Sequence, residues 1–241
     1  MAIEGLYLQL LHQAIGKLRT RVPRPRALLL AYPDLVVPRA ALARLVGEAT
    51  LEGLPEREDA PAAWEAHGLA GVADPMYETL AFLRRLGVEP EVTDVVAQHG
   101  VERIVDLNEP LPADLARRFD LVVDTGTLEH CFNVGQAFRN ACEALAQGGV
   151  LVHAAPLNRP NHGFWNFSPT VYPDFFLANG FEAQVISGAS GDLARGMRTF
   201  AVDLAGRFEA PAGAVVYAVA ERREVRDLVW PVQRKYQAFI P

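Results

Sequence analysis

The chain has 241 residues, 50% of them hydrophobic and 22% charged, which suits one large domain and excludes wholesale disorder. Lys and Arg number 23 against 29 Asp and Glu, a net charge of -6, so broad nucleic-acid binding is disfavoured: phosphate contacts need clustered bases. No apolar run reaches the roughly 18 residues that span a bilayer, so no membrane partner is expected.

The first twenty residues place Leu6, Leu10, Ala14 and Leu18 at helical spacing. This predicts an N-terminal helix over 1–24, ended by the prolines of VPRPR. It packs on the domain edge, with a lid or a homodimer contact as the alternatives. Glu4 lies ahead of the apolar stretch and the basic residues follow it, the reverse of a secretory leader. Cys131 and Cys142 are too few for a disulfide framework or a zinc knuckle. A reducing, cytoplasmic setting is therefore expected.

Ala27 to Val37 reads as a buried strand and a tight turn, followed by a helix from Pro38 to Gly47. Residues 48–75 are rich in Ala, Glu, Gly and Pro with weak periodicity, and read as a partly helical, mobile insertion. From Met76 the pattern sharpens: a helix to Gly87, then strands over 91–96, 103–107 and 119–124. A helix over 133–146 follows, ended by Gly148 and Gly149, which open a strand through Pro156. A short helix leads into a strand at Phe181, and two further strands cover 197–205 and 214–222. A polar tail occupies 223–241.

Strands alternating with helices predict an α/β, Rossmann-like, doubly wound sheet, mostly parallel, with an antiparallel edge and helices on both faces. The domain spans 25–222 and carries the insertion 48–75. Ligands of such sheets sit beyond the strands' carboxyl ends. There the sequence offers Tyr32 and Asp34, Asp94, Asp106, and a run from Asp124 through Thr125, Gly126, Glu129 and His130. Carboxylates at neighbouring strand ends suit a nucleoside, because a ribose diol and an adenine amino group both donate to them. Taken singly, each of these residues also serves as a helix cap or turn former.

The run FDLVVDTGTLEH, a helix and then LAQGGVLVHAAP resembles the second half of class I S-adenosylmethionine-dependent methyltransferases. NGFE at 179–182 and AVVYAVAER at 214–222 resemble that family's last two strands. The resemblance covers roughly 25–222. It implies a seven-stranded sheet with six parallel strands and one antiparallel, and S-adenosylmethionine across the strand ends. It places Asp94 on the ribose, Asp106 or Leu107 beside adenine, Thr125 and Gly126 on the methionine portion, and Glu129 and His130 at the mouth. The family's glycine-rich first loop is absent. Tyr32, Pro33 and Asp34 stand there, so that loop is either rebuilt, with Tyr32 and Asp34 as cofactor contacts, or lost.

Six aromatics lie between 164 and 176, in a chain only 9% aromatic. Aromatic faces interleaved with Asn, His and Ser suit a sugar ring or small planar metabolite, with Asn161, Trp165, Asn166 and Tyr172 as substrate contacts. A hydrophobic plug seating the next helix is the plainer alternative. His162 is the first candidate base for an acceptor proton and His130 the second, while His153, inside a strand, reads as a buried core histidine. No His, Cys, Asp and Glu cluster stands at metal-ligand spacing, so no metal is expected. The expected activity is methyl transfer to oxygen or nitrogen of a small molecule, such as a sugar or natural-product intermediate. The alternatives are a catalytically silent partner or regulatory protein, and an enzyme using the pocket for another ligand.

Overall fold

A computed structural model describes residues 1–193 and 196–239. The last two residues of the expected tail, 240 and 241, lie outside that description. The chain begins with β1 (Ala2–Ile3) and α1 (Gly5–Arg19). Glu4 starts this helix because its carboxylate accepts from the Leu6 and Tyr7 amides at 2.8 and 2.7 Å, and Lys17 and Arg19 suit its last turn. The chain continues through β2 (Arg26–Leu30), β3 (Asp34–Leu35), α2 (Arg39–Val46), α3 (Glu48–Leu51), α4 (Ala60–Ala66) and α5 (Thr79–Arg85). Then come β4 (Glu89–Asp94), β5 (Glu102–Ile104), β6 (Phe119–Asp124), α6 (Val134–Glu143), β7 (Leu145–Asn158) and α7 (Val171–Ala178). The last elements are β8 (Phe181–Asp192), β9 (Gly196–Phe200), β10 (Ala214–Arg222) and α8 (Arg234–Gln237).

The main sheet has the order β5-β4-β2-β6-β7-β10-β8-β9. β2, β4, β5, β6 and β7 pair in parallel, and β10 lies antiparallel between β7 and β8. Six strands thus share one direction, and β10 opposes them. The expected count of seven is corrected to eight, because β9 adds an antiparallel edge beside β8. Gly188 makes that edge possible: a Cβ there would meet the Phe200 ring at 2.3 Å, so only the bare backbone lets this aromatic lie on β8.

One sheet face packs α1 and α5 through Tyr7, Leu8, Leu11, Leu18, Leu80 and Leu83. The other packs α6 and α7 through Ala137, Phe138, Ala141, Phe175 and Phe176. The N-terminal helix is therefore a core layer, with Leu11 at 0% exposure. The tail is anchored too. Asn179 brackets Val229, its Nδ2 donating to the carbonyl at 3.0 Å and its Oδ1 accepting from the amide at 2.7 Å. No helix among the described residues is long and apolar enough to cross a membrane.

Three local differences have simple causes. The strand read over 27–37 stops at Leu30, because Ala31 turns left-handed (φ 65°) and Pro33 follows; Asp34–Leu35 then pairs with β1. β7 begins at Leu145, so Gly148 and Gly149 lie within it, and the register with β6 shifts between Phe119 and Leu121. β4 and β5 each begin and end earlier than the apolar pattern suggests, at Glu89–Asp94 and Glu102–Ile104.

Candidate active site

The chain lays β2, β4 and β5 outward in one direction and then returns to place β6 on the other side of β2. The order reverses between β2 and β6, where doubly wound sheets bind ligands. The Thr127 hydroxyl bridges that gap by donating to the Leu30 carbonyl. Behind it, Asp124 is fully buried. Its Oδ1 accepts from the Gly126 and Thr127 amides at 3.2 and 2.8 Å. Its Oδ2 lies 2.5 Å from His153 Nδ1, and His153 Nε2 lies 3.0 Å from the Tyr172 hydroxyl. His153 is thus a satisfied core histidine.

The same chain of hydrogen bonds corrects one expectation: Tyr172 is a core residue at 0% exposure, not a substrate contact. Burial, followed by the charge of Asp124, pushes its phenol well above the ordinary value, so it stays neutral.

The corner after β2 is rebuilt rather than open. Tyr32 is buried, its hydroxyl donates to Glu78 Oε1 at 2.5 Å, and His99 stacks on its ring with centroids 4.1 Å apart. Burial and the Glu78 carboxylate raise the Tyr32 phenol. Asp34 spends both oxygens on the insertion, one on the Arg57 guanidinium and one on His67 Nε2 at 2.8 Å. Burial alone would raise Asp34, but the His67 hydrogen bond and the Arg57 charge outweigh it and hold the carboxyl below its ordinary value. The polar groups of Tyr32 and Asp34, expected as cofactor contacts, are engaged within the protein, where they pin the insertion and α5 over the corner.

Asp94 and Asp106 are placed differently. At the end of β4, Asp94 Oδ1 accepts from the Val95 and Val96 amides at 2.6 and 3.3 Å. Beyond β5, Asp106 Oδ1 accepts from the Asn108 amide and side chain at 2.9 and 2.8 Å. The second oxygen of each carboxylate makes no hydrogen bond among the described residues. Val95 and Val96 are exposed beside them, at 59% and 53%. Leu107 is buried in the core, and its carbonyl accepts from Asn140.

Thr125, Gly126, His130 and His162 line one cavity of about 360 Å³, with Glu4, Tyr7, His67, Arg159 and Tyr217 on its other walls. Glu129 sits just beneath, buried at 1%, in the 3-10 turn Leu128–His130 that follows β6. The imidazole Nε2 atoms of His162 and His130 stand 3.5 and 4.0 Å from Glu129 Oε1. The expectation of no metal is revised here: Glu129, His130 and His162 form a group whose ligand atoms lie within 4.8 Å of one another. The adjacent Glu–His pair was its only local signal in the sequence.

The remaining aromatic-loop residues lie elsewhere. Trp165 and Asn166 line a separate apolar cavity of about 310 Å³ with Phe138, Phe167, Phe175 and Trp230. Trp165 Nε1 donates to the Cys131 and Phe132 carbonyls at 3.1 and 3.2 Å, and Asn166 Oδ1 accepts from the Arg159 amide at 2.7 Å. Asn161 is exposed and left-handed (φ 65°), the turn that presents His162. Burial pushes the Cys131 thiol up to about 11, which leaves it unreactive near neutrality. Arg57, His67, Glu78 and His99 reach this corner from distant segments, so no local pattern in the sequence marks them as its partners.

No family model matches the chain, and no curated protein matches it. Solved structures similar to it include the N-methyltransferase NodS from Bradyrhizobium japonicum WM9 in complex with S-adenosylhomocysteine. That match has 13% identity and a TM-score of 0.44, and covers 90% of this chain and 88% of that one. A second is the 1,6-didemethyltoxoflavin-N1-methyltransferase of Burkholderia thailandensis, at 15% identity and TM-score 0.43, covering 88% and 77%. A third is the YcgJ protein from Bacillus subtilis, at 13% identity and TM-score 0.43, covering 89% and 100%.

Proposed function

We propose that this chain is an S-adenosylmethionine-dependent methyltransferase acting on a small molecule. The observation that carries the reading is the pair Asp94 and Asp106, at the end of β4 and just beyond the edge strand β5, on the β2 side of the reversal of strand order, each with one oxygen free of hydrogen bonds among the described residues. These residues fit the adenosyl half of the cofactor. Asp94 would hold the ribose hydroxyls, Asp106 would take the adenine amino group, and Val95 and Val96 would cover the ring. Thr125 and Gly126 would border the methionine portion. The bound cofactor supplies an electrophilic sulfonium methyl.

The protein's part is to orient the acceptor and take its proton. A cavity of about 360 Å³ suits a small acceptor with a hydroxyl or amine, such as a sugar or natural-product intermediate. His162 and His130, on its wall, are the groups positioned to receive that proton, and Glu129 lies behind both. Alignment of donor and acceptor supplies much of the rate.

The rebuilt corner favours a second reading, a catalytically silent relative serving as a partner protein: Tyr32 and His99 stand where a glycine loop would admit the cofactor. Calorimetry separates the two. Saturable one-to-one binding of S-adenosylhomocysteine supports the enzyme. No heat at millimolar ligand, with a stable complex to another protein, supports the silent relative.

A further inference from the structure

A carboxylate and two imidazoles converge at the mouth of the cavity, and the carboxylate is incompletely satisfied. Glu129 Oε2 is buried without any hydrogen-bond partner, the one such side-chain atom found among the described residues. The nearest imidazole nitrogens face Oε1 instead, at 3.5 and 4.0 Å, beyond good hydrogen-bond length. Burying a carboxylate without compensation is costly, so the turn is built for a positive charge.

The surrounding backbone reserves space for this carboxylate. A Cβ on Gly126 would stand 2.9 Å from Glu129 Oε1, and a Cβ on Gly163 would stand 2.8 Å from both Glu129 Cγ and its carbonyl oxygen. The Glu129 carbonyl also accepts from the Phe164 and Trp165 amides at 2.9 and 3.3 Å, fastening the segment that carries His162. Both imidazoles are about half exposed, at 50% for His130 and 43% for His162, and so are free to swing toward a common centre.

We propose that Glu129, His130 and His162 bind one divalent first-row transition cation. Two imidazoles and one carboxylate suit zinc, cobalt or iron(II), at metal–ligand distances of about 2.0–2.2 Å. Three protein ligands leave positions open toward the cavity for water or for an oxygen of the acceptor. With the cation bound, a coordinated hydroxyl would lose its proton more readily and the imidazoles would serve as ligands; in the metal-free protein they keep the proton-accepting role proposed above. The cation site stands independently of methyl transfer.

The test is titration of the full-length, chelator-treated protein with Co²⁺, followed by visible absorption, and with Zn²⁺ by calorimetry. The expected result is one site, with ligand-field bands typical of nitrogen and oxygen donors. His162→Ala and Glu129→Gln should each weaken it by more than about tenfold. His12→Ala, on α1 and away from the cluster, should leave it unchanged. Because His162 is exposed, its variant remains informative if Glu129→Gln fails to fold. Absence of one-to-one binding at 100-fold excess metal, or binding unchanged in His162→Ala and His130→Ala, would overturn the site and leave only a histidine–glutamate pair.

Discussion

His99 lies flat on Tyr32, with ring centroids 4.1 Å apart and planes 20° from parallel. Glu102 holds it there: His99 Nδ1 lies 2.6 Å from Glu102 Oε1, and the His99 amide donates to the same carboxylate. Burial would raise Glu102, but these bonds dominate and draw its carboxyl down to about 2. Two residues from different loops thus close the corner where strand order reverses.

Tyr32→Ala should lower stability by about 3 kcal/mol or more, the cost of deleting a buried aromatic side chain. Tyr32→Phe should cost less, about 1–2 kcal/mol, because the ring stays and only the hydroxyl's bonds to Glu78 and to the Thr79 amide are lost. Denaturant unfolding of both variants checks this. Equal effects would mean that the ring contributes nothing to the packing.

Asp94→Ala should weaken S-adenosylhomocysteine binding by about tenfold or more, since hydrogen bonds to a charged group are worth roughly 1.5–3 kcal/mol. Asp106→Ala should weaken it less, because Asp106 is exposed. Calorimetry on the two variants gives the ranking, and the reverse order would contradict the assignment of ribose to Asp94.

The clamp of Arg57 and His67 on Asp34 sets a pH dependence. Its folded carboxyl lies below the ordinary value of 3.8, so the stabilisation is fully present above that value and is lost as pH falls through the lowered one. The melting temperature of Asp34→Asn should therefore lie below wild type at neutral pH, with the gap closing as pH falls through the lowered value. A gap independent of pH would exclude the carboxylate as its source.

His153→Ala should be strongly destabilising, by about 3 kcal/mol or more, because it strands the buried Asp124 carboxylate. Tyr172→Phe removes only the outer hydroxyl and should cost about 1–2 kcal/mol. A Tyr172→Phe variant of full stability but no activity would restore Tyr172 to the acceptor site.

Two glycines should respond with opposite signs. Gly163→Ala forces a Cβ against the Glu129 backbone and should cost about 1–3 kcal/mol while disturbing the histidine cluster. Gly16, in α1, has nothing within 4 Å of an added Cβ, so Gly16→Ala should gain up to about 1 kcal/mol. Thermal unfolding of both reads the difference.

Much of this fold was legible because its signals are local. FDLVVD and AVVYAVAER are apolar runs that can only be buried strands, and they form β6 and β10. Ala137, Phe138 and Ala141 sit on one helical stripe and pack together under α6. The edge strand β9 was partly visible as MRTF, but its pairing depends on Phe200 finding the bare backbone of Gly188. The candidate site was less legible for the same reason. Asp34 meets Arg57 and His67 across 23 and 33 residues of chain, and periodicity carries no trace of such contacts. Tyr172 belonged to an aromatic cluster that looked like a binding surface; its fate was fixed by His153 reaching it from β7.

A crystal structure with S-adenosylhomocysteine tests the central claim most directly. The account predicts the ribose hydroxyls on the second oxygen of Asp94, the adenine amino group on Asp106 with Val95 and Val96 over the ring, and the methionine portion beside Thr125 and Gly126. Density for the nucleoside elsewhere, or crystals that remain ligand-free at saturating concentration with Tyr32 and His99 still stacked, would contradict it.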